Sequence, residues 1–338
     1  MSFSFCIVIT DNFDFYIGGK LMPIDRTPLV EDNREKREKT EKPKINFSIT
    51  NSKYTFNDIV LPPEILEETK SVIALDKYSE LIFGEWGLSQ VIKSHKNISI
   101  NLYGCSGTGK SMTAQAIATE LNKKILMVNY SEIESKYVGE TSKNLVSLFD
   151  SAQKNDAVII FDEADALLSR RVTAMHSATD VSVNQTRNVL LKILDDYQGV
   201  VIFTTNFIQN FDSAFMRRIM SHIKFDMPNE EMRKKLWAHY LVERLPLSSD
   251  RNEVIAQLAV IEDVTGSDVS TAVLKAAVKA AVNGTLTLNV ESIKEEINKI
   301  IAAKKAMKDD NLTVTTRKVS EEYVKEKLGT GGIINGDH

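Results

Sequence analysis

The sequence predicts an α/β protein: a five-stranded parallel sheet with helices on both faces, followed by a small all-helical domain. Three observations carry that reading. A glycine-rich turn, Gly104 to Ser111, joins a short apolar strand to an Ala-rich helix. Beyond it, apolar runs ending near Tyr130, Phe161, Thr204 and Phe225 alternate with helical stretches, the pattern of βα units. From Glu230 onward the strand pattern stops and four helical stretches follow.

At the N-terminus, Phe3 to Thr10 and Phe13 to Ile17 are aromatic and β-branched, with Asp11-Asn12 between them. They read as a hairpin or edge-strand pair, which either docks a substrate or neighbouring subunit or simply completes the local fold. Glu31 to Lys44 mixes Glu, Lys and Arg with no apolar residue but Pro43, so it reads as a solvated linker, with a salt-bridged helix as the other option for part of it. Ordered character resumes at Ile45 to Val60, and Pro62-Pro63 with Glu64 opens a helix over Ile65 to Ile82.

Asn97 to Tyr103 is the first core strand. Gly104-Cys105-Ser106-Gly107-Thr108-Gly109-Lys110-Ser111 then places Gly, Gly, Lys and Ser at the spacing of a phosphate-binding loop, with helix Met112 to Leu121 behind it. Glycines let backbone N–H groups converge on phosphate oxygens at a helix N-terminus, where unsatisfied donors and the dipole favour negative charge. Lys110 would reach the outer phosphates and Ser111 a magnesium ion.

Ile125 to Tyr130 is the second strand, and Thr141 caps a helix running to Gln153. Ala157 to Phe161, buried and apolar, delivers Asp162-Glu163 at its carboxyl edge, where open α/β sheets bind ligands. Asp162 would share a magnesium ion with Ser111, and Glu163 would orient the attacking water. Asp165 reads as the cap of a short helix, Ala166 to Ser169.

Arg170 to Val183, with Met175-His176, reads as a loop before the helix Asn184 to Tyr197. Strand Val200 to Thr204 ends at Thr205-Asn206, an amide placed to meet a γ-phosphate or water. A short helix opened by Phe211-Asp212-Ser213-Ala214 carries Arg217 and Arg218, and His222 to Phe225 is the fifth strand. The pair reads either as ordinary surface charges or as arginines supplied to a neighbour's γ-phosphate, a device that stabilises transition-state charge. Helices follow over Met232 to Glu243, Asn252 to Ile261, Ser267 to Val282 and Val290 to Met307, the third capped by Ser267 or Asp268. The expected divisions are an N-terminal segment over 1–48, an α/β domain over 49–228, a helical domain over 229–308 and a C-terminal helix and tail over 309–338.

Composition narrows the function. With 42 basic and 46 acidic residues in 338, the net charge of -4 offers no global attraction to nucleic acid or anionic membranes. Two cysteines, Cys6 and Cys105, are too few for a disulfide framework and fit a reducing compartment. No apolar run reaches the ~18 residues of a membrane span, and Ser2 to Thr10 lacks the basic start of a signal peptide. A cytoplasmic protein without membrane insertion is expected.

The chain from about Tyr54 to Met307 resembles an AAA+ ATPase, and within that superfamily the AAA group of katanin- and FtsH-like modules. Gly104 to Ser111 resembles the Walker A motif, Val158 to Glu163 Walker B, and Thr204-Thr205-Asn206 sensor 1. Phe211 to Arg218 is similar to the segment bearing paired arginine fingers, and Lys136-Tyr137-Val138-Gly139-Glu140 to pore loop 1, with Tyr137 as its aromatic paddle. Phe56-Asn57-Asp58-Ile59 resembles the stretch that packs on adenine, although the glycine usual after Asp-Ile is Val60. Gly266-Ser267-Asp268 lacks the sensor-2 arginine of other AAA+ branches, which leaves positioning of the helical lid to Ser267 and Asp268.

The resemblance implies a RecA-like P-loop core binding ATP and Mg2+. Nucleotide contacts would come from Asp58, Ile59, Gly104, Cys105, Ser106, Gly107, Thr108, Gly109, Lys110, Ser111, Met112 and Ser267. Glu163, Asn206, Arg217 and Arg218 would be catalytic, Ser111 and Asp162 would hold the metal, and Lys136, Tyr137 and Val138 would grip substrate. It further implies a homo-oligomeric ring, usually a hexamer, that pulls a protein substrate through a central pore. The alternatives are an AAA+ nucleic-acid motor or loader and a nucleotide-gated scaffold without appreciable turnover.

Overall fold

The computed structural model describes residues 16–17, 20–21, 47–92, 97–129, 140–169, 178–206, 211–285 and 287–312. By its internal contacts the chain forms two units, Met1–Asn46 and Phe47–His338. In the first, β1 (Tyr16–Ile17) pairs antiparallel with β2 (Lys20–Leu21). The strand expected at Phe3 to Thr10 and the linker Glu31 to Lys44 lie outside the described residues.

The second unit is built on a six-stranded sheet. Its strands are β3 (Ile49–Thr50), β4 (Ile98–Gly104), β5 (Lys124–Asn129), β6 (Ala157–Asp162), β7 (Val200–Thr205) and β8 (Ser221–Phe225), in the order β3-β5-β6-β7-β4-β8. The five expected parallel strands are all present, and the sheet is mixed because β3 adds an antiparallel edge, Ile49 opposite Leu126 and Thr50 opposite Ile125. Two residues are too few to display a period, so that strand has no sequence signature.

The interior strands β6 and β7 are mostly apolar because both faces are covered, while β4 is as deeply buried but alternates, with Ser99 and Asn101 between Ile98, Ile100 and Leu102. Alternate residues divide between two cores. Ile159, Phe161, Val201 and Phe203 face one core, joined there by Leu145, Leu148 and Phe149 of the helix Glu140–Lys154 and Leu190 of the helix Ala178–Asp196. Val158, Ile160, Ile202 and Ile100 face the other with Ala114 and Ile117. Phe161 and Phe203 stack with centroids 5.2 Å apart, pinning the register of β6 against β7.

The helices are α1 (Pro63–Ser79), α2 (Lys110–Glu120), α3 (Glu140–Lys154), α4 (Asp165–Leu168), α5 (Ala178–Asp196) and α6 (Ser213–Met216). α1 starts with proline at N1, where no intrahelical donor is lost, and gives way at Glu80–Glu85 to a π-helical turn rather than running on to Ile82. Ala164, not Asp165, is the N-cap of α4.

Four more helices complete the unit: α7 (Glu230–Tyr240), α8 (Arg251–Ala259), α9 (Gly266–Val282) and α10 (Val290–Leu312). Asn229 and Asp250 cap α7 and α8 through their side-chain oxygens. α9 is capped by Thr265 rather than Ser267 or Asp268; Asp268 is the third residue of a capping box, accepting from Thr265 N–H at 2.8 Å and Oγ1 at 2.7 Å. Trp237, Leu258, Val269, Ala276 and Ile293 form a core of their own.

β6, β7 and β4 are adjacent, so three connections leave the same carboxyl edge side by side: the phosphate loop after β4, the carboxylates after β6 and the amide after β7. That convergence makes a site of residues up to a hundred positions apart.

Candidate active site

Backbone conformation shapes the loop after β4. Gly104 has φ +130°, and a Cβ there would fall 2.1 Å from the Phe225 carbonyl oxygen, which accepts the Cys105 N–H at 3.2 Å. Gly107, at φ +78°, brings the loop against α9: a Cβ there would lie 2.3 Å from Ser267 Oγ and 2.7 Å from Thr265 Oγ1. Only glycine meets both demands, a left-handed conformation and a close approach. Ser267 N–H donates to the Gly107 carbonyl at 3.3 Å, so the loop and the first turn of α9 are joined directly.

Lys110 opens α2 and is 7% exposed. Its Nζ donates to the carbonyls of Gly104 (2.9 Å) and Cys105 (2.7 Å) and to Asn206 Oδ1 (3.0 Å). Burial pulls its pKa below the usual lysine value. The ammonium and the amide at the tip of β7 therefore point at one spot. Asn206 N–H in turn donates to both carboxylate oxygens of Asp165, at 3.0 and 3.2 Å. Asp165 is spent there, holding Asn206, and not on the cap of α4 that its position suggests.

Ser111 Oγ donates to Asp162 Oδ1 at 2.7 Å. The two offer hard oxygens side by side, the donor type Mg2+ takes. Among the described residues no group of three or more His, Cys, Asp or Glu could hold a metal by protein ligands alone. This donor set therefore fits an ion that draws its other ligands from phosphates and water. Thr204 Oγ1 also reaches Asp162 Oδ1, and Glu163, at φ +52°, donates its N–H to that hydroxyl at 3.1 Å.

These groups face a cavity of about 630 Å³ bounded by the loop Ser106–Met112, the strand ends at Asp162, Glu163, Thr204 and Asn206, and α9 at Gly266, Ser267 and Ser270. Asp58 and Ile59 line it from the segment before α1, where Asp58 closes a capping box on Thr55. Tyr54, His239 and Tyr240 line it too, from stretches with no motif. A second cavity of about 440 Å³ shares Val60, Thr108, Leu236 and Gly266 with the first and contains neither Asp162 nor Glu163.

Arg217 and Arg218 line neither cavity. Arg217 is exposed at the end of α6, and Arg218 is bound to Asp195 of α5. Lys136, Tyr137 and Val138, and the Met175-His176 loop, lie outside the described residues.

A phosphate loop on the interior strand β4, carboxylates on its second neighbour and an amide on the strand between define a P-loop nucleotide-binding α/β domain followed by a helical part. Residues 100–227 match the model of the ATPase family associated with various cellular activities, AAA. That match identifies an AAA ATPase domain over these residues. It is similar to a 26S proteasome regulatory subunit homologue of Methanocaldococcus jannaschii, 30% identical over 72% of this chain and 63% of that protein. Proteasome-activating nucleotidases resemble it too: that of Sulfurisphaera tokodaii is 28% identical over 81% of this chain and 67% of its own length, and that of Saccharolobus solfataricus 30% over 73% and 62%. The chain thus spans about two thirds of the length of these relatives. Among the described residues no helix is long and apolar enough to cross a membrane.

Proposed function

We propose that this chain is a ring-forming ATPase that hydrolyses ATP at subunit interfaces and uses the energy to remodel a protein substrate in the cytoplasm. The observation that carries the reading is the convergence of Lys110, Ser111, Asp162, Glu163 and Asn206 on three adjacent strand ends. Lys110 binds the outer phosphates, with Asn206 aligning the ammonium and facing the attacking water. Ser111 and Asp162 would hold Mg2+, which when bound neutralises phosphate charge. Glu163 accepts the proton of the water that attacks the terminal phosphorus, as ADP leaves.

The adenine side is formed by Asp58 and Ile59 with Tyr54 and Tyr240, and Ser267 ties the lid to the loop that cradles the phosphates. Arg217 and Arg218 serve a neighbour's site, a role supported by their position away from the cavities of their own chain. The functional divisions are those read from the sequence: 49–228 for nucleotide, 229–308 as lid, with 1–48 and 309–338 flanking. A hexamer gripping substrate with Lys136, Tyr137 and Val138 is the assembly of choice. The names of the relatives connect them with proteasome activation, which makes a protease a candidate partner here as well.

The experiment is Glu163→Gln, which keeps shape and removes the base. Nucleotide binding should persist while turnover falls by about 100- to 10,000-fold. Turnover near that of the parent would remove Glu163 from the chemistry. The binding-competent variant then serves as a trap for the protein substrate. Salt-dependent capture of nucleic acid instead of protein would favour the motor-or-loader alternative.

A further inference from the structure

We propose that the Thr204 hydroxyl is a positioning group for hydrolysis, linking the carboxylate that would hold the metal to the backbone of Glu163. The proposal rests on the hydrolysis reading above and adds a residue to it. Thr204 is 2% exposed, on β7 beside β6. A hydroxyl has one proton and two lone pairs. The proton goes to Asp162 Oδ1 at 2.5 Å, and a lone pair accepts the Glu163 N–H at 3.1 Å. The direction of the relay is fixed, because a carboxylate can only accept and an amide N–H can only donate: Glu163 N–H to Thr204 to Asp162.

The relay has two consequences. Asp162 Oδ1 already accepts from Ser111 at 2.7 Å, so a second charge-assisted bond from behind holds its carboxylate in one rotamer toward the phosphate loop. Glu163 stands at φ +52°, a left-handed conformation that costs a non-glycine residue on the order of 1–3 kcal/mol unless its surroundings hold it. Thr204 holds it twice: the hydroxyl takes the Glu163 N–H, and the Thr204 carbonyl takes the Ala164 N–H at 2.9 Å. The tight turn sends Glu163 into the cavity one residue after Asp162 has done the same. A single buried hydroxyl thus bonds both the Asp162 carboxylate and the backbone that carries Glu163.

Thr204→Val keeps shape and β-branching and removes the relay; Thr204→Ser keeps the relay and removes a methyl. Both are compared with the parent and with Glu163→Gln as full chains, in ATP turnover and in equilibrium binding of fluorescent ATP titrated with Mg2+. Thr204→Val should lower kcat by about 10- to 100-fold with KM little changed, and raise the Mg2+ concentration that supports tight binding. Thr204→Ser should restore both. Val with parental kcat and Mg2+ dependence, or Ser as impaired as Val, would contradict the proposal. If Thr204→Val fails to fold, Thr204→Ala against Thr204→Ser makes the same comparison. Should the parent itself not turn ATP over, the hydrolysis reading fails and the Mg2+ titration still decides whether the hydroxyl orders Asp162. If parent and Glu163→Gln behave as expected and Thr204→Val is unimpaired, only this proposal falls.

Discussion

Arg218 forms a two-point ion pair with Asp195 of its own chain, Nε to Oδ1 at 2.8 Å and Nη2 to Oδ2 at 3.1 Å. Arg217 beside it is exposed and has no ion-pair partner among the described residues. The two neighbouring arginines are therefore unequal: one is fixed to α5 and the other is open to solvent.

The Arg218–Asp195 pair is partly exposed, so its net worth is ~0–1 kcal/mol. Asp195→Ala is expected to leave thermal stability within about a degree or two and to raise turnover by no more than about fivefold, by releasing Arg218. Turnover assays at low protein concentration check this. A fall as deep as that of Arg218→Ala would mean that Asp195 aims the guanidinium rather than restrains it.

Gly107→Ala tests the junction between the phosphate loop and α9. The added methyl meets Ser267 Oγ at 2.3 Å and the backbone keeps φ +78°. A loss of ~1–3 kcal/mol and weaker nucleotide binding are expected. Adding Ser267→Gly should return the part due to Ser267 and leave the 2.7 Å contact with Thr265 Oγ1 and the part due to the left-handed backbone, as read by denaturant midpoints. Full recovery in the double variant would show that the conformation at 107 carries no strain.

Tyr197 supplies a pH dependence. Its ring is buried against Phe149, and burial pushes the phenol from 10.0 up to about 12. The unfolded phenol ionises first, so its contribution is fully present below pH ~10 and is lost as pH rises toward ~12, up to ~2–3 kcal/mol. Denaturant midpoints of the parent should fall more steeply over that window than those of Tyr197→Phe. Parallel curves would place the phenol in a solvent-like setting.

What was legible in the sequence was whatever is local. Gly104 to Ser111 carries its own spacing and flanks, and Asp162-Glu163 follows an apolar run that must be a buried strand. Asn206 is legible in the same way, as a polar residue at the tip of an apolar strand. Relations that depend on the fold left no such mark. Asp165 reads as a cap because aspartate before a helix usually is one, yet its carboxylate serves an N–H 41 residues away. Thr204 looks like any β-branched strand residue until β6 is laid beside it. His239, Tyr240 and Ser270 reach the cavity only because the helical part folds over the sheet's edge, and Tyr54 because the segment before α1 passes beside it. The two-residue strand Ile49–Thr50 is too short for a period to exist.

The most direct test of the account is ATP hydrolysis per subunit as a function of protein concentration, in the parent and in Arg217→Ala and Arg218→Ala. A site completed by a neighbour's arginines requires specific activity to climb with concentration, and the arginine variants to lose ~1,000-fold or more while still binding nucleotide. Activity per subunit that is flat with concentration and indifferent to both arginines would contradict the ring motor and leave a self-contained nucleotide switch.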